Sequence, residues 1–298
     1  MGWFLSTAIT TLLSQMSFFI PINYSIGLRP IFNFKWRYIK NSLKISIPTI
    51  PHYYSTYLLD SSDRLIMKSV GTSINQIGLY NAAYTVGNFL RQAGMAAGFA
   101  VGPMLNAAYK EKDEKKARDL VFILQIVFFS GSFILCIWMK EFFQLLIKNK
   151  ELQMTYKLGI IIVMGYCYRP MYLGANSRLF YLEKTVLLLR VTFIAAIINI
   201  ILNFIFIPIF GINAAAIVTF VSLMYMGYAG FYLKIFNETN SVNFYPHLWL
   251  LLNIILTVLS IFLVEMTLLI KLIVSLAALV FGIYSLYFLT KNSKKYYG

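Results

Sequence analysis

Along most of the chain, apolar residues run in blocks of roughly 20 separated by short polar links, long enough for a helix to cross a hydrocarbon core. Such blocks fall near residues 3–27, 44–69, 76–105, 119–140, 156–180, 186–208, 211–234, 246–265 and 268–290. Strict alternation in short segments, the mark of a membrane β-barrel, is not visible. The pattern predicts an all-α fold, a polytopic transmembrane helical bundle of about nine spans. The start "MGWFLSTAITTLLSQ" lacks the basic n-region of a signal peptide and reads as an ordinary span.

Composition agrees with the pattern. The chain is 59% hydrophobic and only 12% charged, against about 25% charged in a soluble domain. The net charge of +15 does not call for nucleic acid, because the basic residues concentrate in the links, where they orient membrane helices. Arg29, Lys35, Arg37, Lys40 and Lys44 follow the first span with no acid among them, so that link is expected inside. "GTSINQ" belongs outside, "KEKDEKKARD" inside, "LEKTVLLLR" inside, "PIFGIN" outside, and the tail with Lys291, Lys294 and Lys295 inside. Residues 140–157 must lie outside by count, yet they carry Lys148 and Lys150 beside Glu141 and Glu151. An odd number of spans, with the amino terminus outside, is what the later part of a longer protein would show.

Polar residues inside the second block change the picture. "YLLDSSDRLIMKSVG" places Asp60, Asp63 and Arg64 in an otherwise apolar span, where each charge costs up to about 2.5–3.5 kcal/mol. Asp60 and Arg64 are i,i+4 and can pair along one face. The same spacing extends to a stripe of Tyr53, Tyr57, Asp60 and Arg64, beside a second of His52, Thr56 and Asp63. The next block aligns Tyr80, Tyr84, Asn88 and Arg91, and a later one places Arg169 deep in its span, with Asn176 on its face and Tyr172 near. Pro170 removes a backbone hydrogen bond there and favours a kink. Three arginines with aromatic neighbours, if they converge, line a cationic cavity suited to phosphate, because guanidinium donates in pairs. The competing reading is structural: Asp60 or Asp63 neutralises Arg64 in a static pair, Arg91 and Arg169 snorkel, and His52 is a hydrogen-bonded packing residue.

Other motifs read as packing. Gly94, Gly98 and Gly102 recur at four-residue intervals, and Asn199 and Asn203 are i,i+4 on one face. Pro208 and Gly211 mark a tight hairpin. Cys136 and Cys167 fall inside spans as small core residues. Neither a nucleotide-binding glycine loop nor metal-ligand spacing nor a catalytic triad stands out, so no cofactor, no metal and no enzymatic activity are expected.

Taken together, "SLKISIPTIPHYY", "DSSDRLIMKSVGTSINQIGLYNAAYTVG" and "NIILNFIFIPIFGINAAAIVTFVS" resemble the second lobe of Wzx-type polysaccharide (O-antigen) flippases of the multidrug/oligosaccharidyl-lipid/polysaccharide exporter superfamily. The resemblance implies two six-helix lobes followed by two extra helices. Residues 1–27 would be the last helix of an incomplete first lobe, 28–43 a cytoplasmic linker, 44–235 the second lobe and 246–290 the additional pair. It implies translocation of undecaprenyl-diphosphate-linked oligosaccharide for surface polysaccharide, across the bacterial cytoplasmic membrane. Partners would be membrane lipids, polysaccharide polymerase machinery, and a second polypeptide or self-association supplying the missing lobe. Substrate contacts would fall to Arg64, Arg91, Arg169, Asp60, Asp63, Tyr57 and Tyr84, and coupling to His52, Asp60 or Asp63. A multidrug or cation exporter, a membrane-embedded glycan polymerase or transferase, and an inactive truncated remnant are the alternatives. An exporter of cations wants an acidic cavity, and an embedded transferase usually needs a sizeable catalytic external loop.

Overall fold

A computed structural model describes residues 2–28 and 34–294, and every ordered element among them is helical. Arg29 and Lys295 lie outside the described residues. The chain divides into two compact units, residues 1–44 and 45–298. The first contains α1 (Gly2–Ile20), which runs into a wide π-turn, Pro21–Ser25. Proline has no N–H to continue the ladder, and Ile26 N bonds back to Pro21 O at 3.0 Å. The hydroxyls of Thr10 and Thr11 return to carbonyls four residues earlier, at 2.8 Å each. Polar side chains are thereby satisfied within an apolar helix.

Helix α2 (Trp36–Ser69) begins in the first unit and supplies the first helix of the second. Residues 36–43, expected as linker, are its opening turns, and Pro48 and Pro51 fall inside the helix. Gly71, at φ +81°, takes the left-handed conformation that ends α2. Ser73 then caps α3 (Ile74–Lys110) by accepting from Gln76 N. The remaining elements are α4 (Glu114–Ile137), α5 (Met139–Leu146), α6 (Lys150–Gln153), α7 (Tyr156–Tyr166), α8 (Arg169–Tyr181), α9 (Thr185–Phe210), α10 (Ile212–Tyr228), α11 (Lys234–Thr239), α12 (Pro246–Leu263) and α13 (Leu268–Lys294). The α9–α10 hairpin turns on Gly211 alone, at φ +63°, while Pro208 remains inside α9.

Among the described residues, seven helical stretches are long and apolar enough to cross a membrane. Helices α2 and α3 exceed that length, at 34 and 37 residues, but interleave polar and charged side chains. The stretch Tyr156–Tyr181 is 83% buried and forms the centre of the second unit, whereas Leu268–Lys291 is 6% buried and peripheral. Around that centre pack α3, α4 and α10, with α12 against α7 and α13 against α4.

Charged links group at two ends of the second unit. At one end Asn75 donates to Glu151 at 2.8 Å, joining the start of α3 to α6. There too Glu265, in the α12–α13 turn, accepts from Lys140 at 2.8 Å, Lys157 at 2.9 Å and Tyr156 at 2.5 Å. Buried Lys271 pairs with Glu141 at 2.6 Å. Two bases of the 140–157 link, Lys140 and Lys157, thus meet an acid, Glu265, supplied from more than 100 residues away. At the other end Arg178 donates to Glu114 at 2.9 Å, and Glu114 accepts from Ser241 N at 2.6 Å.

Hydrogen bonds from Lys140, then Lys157 and Tyr156, hold the Glu265 carboxyl down to about 2 from an ordinary 4.5. Its contribution to stability is therefore complete above pH 4.5, declines between 4.5 and 2, and is gone below 2. Glu265→Gln is expected to lower the thermal midpoint at pH 7, with the difference from wild type vanishing near pH 2. Melting curves of both proteins from pH 7 to 2 check it; a difference that vanishes by pH 5 would contradict it.

Candidate functional site

The break between α7 and α8 is where site geometry begins. Pro170 stands in the first turn of α8, so the carbonyl four residues earlier, on Tyr166, loses its helical partner. The helix stops at Tyr166 and restarts at Arg169. Side chains secure the gap: Gln125 of α4 donates to Cys167 O at 3.0 Å, and Asn253 of α12 donates to Met164 O at 3.3 Å. Arg169 consequently sits midway along an apolar stretch, at the start of a helix.

A cavity of about 390 Å³ lies between α2, α3 and α8. Asp60, Arg91 and Arg169 are its charged lining residues; His52, Tyr57 and Tyr172 also face it. The glycine stripe lets α8 approach α3 here. A Cβ on Gly94 would meet Arg169 Cγ at 2.7 Å and one on Gly98 would meet Leu173 at 3.2 Å, while one on Gly102 would meet open space.

Two of the three expected arginines converge. Arg91 Nη1 donates to Asp60 Oδ2 at 3.1 Å, and Asp60 Oδ1 accepts from Tyr166 OH at 3.0 Å. Tyr84 and Tyr166 share a hydroxyl contact at 2.7 Å. Arg169 Nη1 donates to Tyr168 OH at 3.0 Å, and its Cζ lies 5.6 Å from the Tyr172 ring centre. Among the described residues Arg169 makes no ion pair, and the buried Nε atoms of both Arg91 and Arg169 lack hydrogen-bond partners. The cavity therefore holds two guanidinium groups and one carboxylate.

Arg64 is not a wall of this cavity. It pairs with Asp63 at 3.2 Å, donates to Asn81 Oδ1 at 2.6 Å, and lies 4.1 Å from the Tyr84 ring centre. Its i,i+4 contact with Asp60 is to the backbone carbonyl, at 2.7 Å, rather than to the carboxylate. The reason is lateral: Asp60 turns its carboxylate towards Arg91 and Tyr166 on neighbouring helices, and Asp63 remains for Arg64. Asp63 is fully buried and also accepts from Tyr80 OH. Tyr84 is buried too, so its ring is not placed to stack on a ligand. Tyr53 and Tyr57, both about two-thirds exposed at the cavity rim, are. His52 is held between Thr192 at 3.0 Å and Tyr172 at 3.1 Å.

Sequence reasoning missed Tyr166 and Tyr168, which orient Asp60 and Arg169. Their signal was the crowding of "YCYRP" around a proline inside an apolar span.

Fold and site define a helical membrane protein with a cation-rich cavity beside a broken central helix. No family model, no curated protein and no solved structure matches the chain.

Proposed function

We propose that the chain is the second lobe, with two additional helices, of a Wzx-type flippase moving undecaprenyl-diphosphate-linked oligosaccharide across the bacterial cytoplasmic membrane. The observation that carries this reading is the unbalanced cavity: Arg91 and Arg169 against Asp60 alone. Uncompensated charge in a membrane interior is expensive, and an anion entering the cavity relieves it. Guanidinium pairs suit a diphosphate, and exposed Tyr53 and Tyr57 offer faces for sugar rings. An excess of cationic side chains disfavours an exporter of cationic drugs.

In this reading α2 and α3 span the bilayer with the seven more apolar stretches, giving about nine spans. Their exposed polar side chains, including Asn81 and Gln92 on α3, then need cover from lipid. A second polypeptide or another copy of the chain supplies it and completes the transport path.

The test is surface polysaccharide and its lipid-linked precursor in cells depending on this chain for export. Arg91→Ala and Arg169→Ala are each expected to deplete the surface polymer and accumulate the precursor. Normal amounts of both in the two variants would overturn the reading.

A further inference from the structure

Asp60 stands where a ligand anion would bind. Its Oδ2 takes the Arg91 Nη1 hydrogen bond at 3.1 Å, inside the cavity. A diphosphate oxygen seeking Arg91 must therefore compete with a carboxylate that the protein itself supplies.

We propose that an anion entering this cavity displaces Asp60 from Arg91 and that Asp60 takes up a proton as it is displaced, so that anion and proton bind together. The proposal rests on the cationic-cavity reading above and adds a regulator to it. Before binding, one carboxylate and two guanidiniums face each other. After binding, Arg91 and Arg169 belong to the ligand, and an ionised Asp60 would stand beside a second anion with its ion pair broken. A neighbouring negative charge and a loss of solvation both favour the neutral acid. The proton is delivered from bulk solution through water in the cavity: an O–H bond of hydronium, replenished by the buffer acid, breaks as an O–H bond forms on Oδ2, and no other covalent bond changes. Oδ1 keeps the Tyr166 hydroxyl as its donor.

The groups facing Asp60 permit this exchange. On its own helix are Arg64 and Asp63, already paired with each other. Helix α3 brings Arg91 and Tyr84, and the α7–α8 break brings Tyr166, Tyr168 and Arg169. No lysine is among them, and the remaining partners are hydroxyls able to donate to either form of the carboxyl. His52 is the other titratable group of the cavity, but both ring nitrogens are engaged, by Thr192 and Tyr172.

Calorimetry on the purified full chain in lipid nanodiscs tests the exchange, with methanedisulfonate as the probe. Its two sulfonates stay ionised between pH 5 and 8, so any proton taken up goes to the protein. Titrations in buffers of different ionisation heat are expected to give an uptake of about one proton per probe bound, and an affinity that tightens by up to about tenfold per unit fall in pH. Asp60→Asn is expected to bind the probe at least as tightly, with uptake and pH dependence both lost. Wild-type binding without proton uptake overturns the proposal, and that measurement needs no variant. Uptake that persists in Asp60→Asn, or is lost in His52→Gln and kept in Asp60→Asn, assigns the proton elsewhere and also overturns it. Failure of every protein to bind the probe is a different result: it removes the cationic-cavity reading itself, and the exchange with it.

Discussion

Arg169→Ala is expected to weaken methanedisulfonate binding at pH 7 by at least about 30-fold, the lower end of the roughly 2–5 kcal/mol that follows loss of one partner from a desolvated charge contact. Arg169 is the cavity cation without a carboxylate of its own, so the free protein loses no ion pair when it is removed. Nearly the whole effect should then appear in binding. Arg169→Lys keeps the charge but loses the planar fork, and should fall between alanine and wild type. Arg64→Lys provides the comparison, because Arg64 is engaged outside the cavity with Asp63 and Asn81. Its binding should stay within about twofold of wild type, because lysine keeps the charge beside Asp63 and Arg64 reaches Asp60 only through the backbone carbonyl. Isothermal titration of the three variants decides the matter. Equal losses in Arg64→Lys and Arg169→Ala would mean that the contacts Arg64 makes outside the cavity, rather than a cation within it, govern anion binding.

The contrast between those two arginines shows where sequence reading stops. Helical spacing correctly put Asp60 and Arg64 on one stretch of α2 surface, because i,i+4 geometry is local. It could not say that Arg91, 31 residues on, and Tyr166, 106 residues on, would claim the Asp60 carboxylate first. Partner choice among charges depends on which helices pack together, and one sequence carries no record of that. The 140–157 link was unexplained for the same reason, since Glu265 and Lys271, which neutralise part of it, come from the far end of the chain.

Helices themselves were easier to read. A bilayer demands long apolar runs with internally satisfied backbone, and those runs are visible residue by residue. Boundaries slipped where two signals overlapped. Trp36 to Leu43 looked like a charged linker, yet nothing in that segment stops a helix, and α2 begins there. Pro170 was rightly suspected of interrupting its span, but the gap opens at Cys167 and Tyr168, because proline's steric conflict falls on the turn before it. The glycine stripe was legible as close packing and illegible as site architecture: Gly94 gives room to the stem of Arg169 itself.

Arg64→Ala is expected to destabilise the folded second unit by about 3–5 kcal/mol, the usual consequence of stranding a buried charge. Asp63 has no exposed side-chain surface, and Arg64 is the cation paired with it. The remaining donors to that carboxylate, Tyr80 OH and the Arg64 backbone N–H, are neutral and leave its charge uncompensated. Removing both charges together has a different outcome, since neutral side chains of similar volume often replace a buried pair at little cost. The double variant Asp63→Asn with Arg64→Met should therefore recover a large part of the loss, giving a coupling energy of about 1–3 kcal/mol. Unfolding of wild type, Asp63→Asn, Arg64→Met and the double variant in mixed detergent, followed by helical circular dichroism, completes the cycle, with Arg64→Ala measured beside it. If the double variant were as unstable as the two single losses added together, Arg64 would be stabilising the fold through Asn81 and the tyrosine rings rather than through Asp63. An Arg64→Ala protein as stable as wild type would mean that the Asp63 carboxyl is already neutral in the folded chain, in which case Asp63→Asn alone should cost little and raising the pH should not change the ranking.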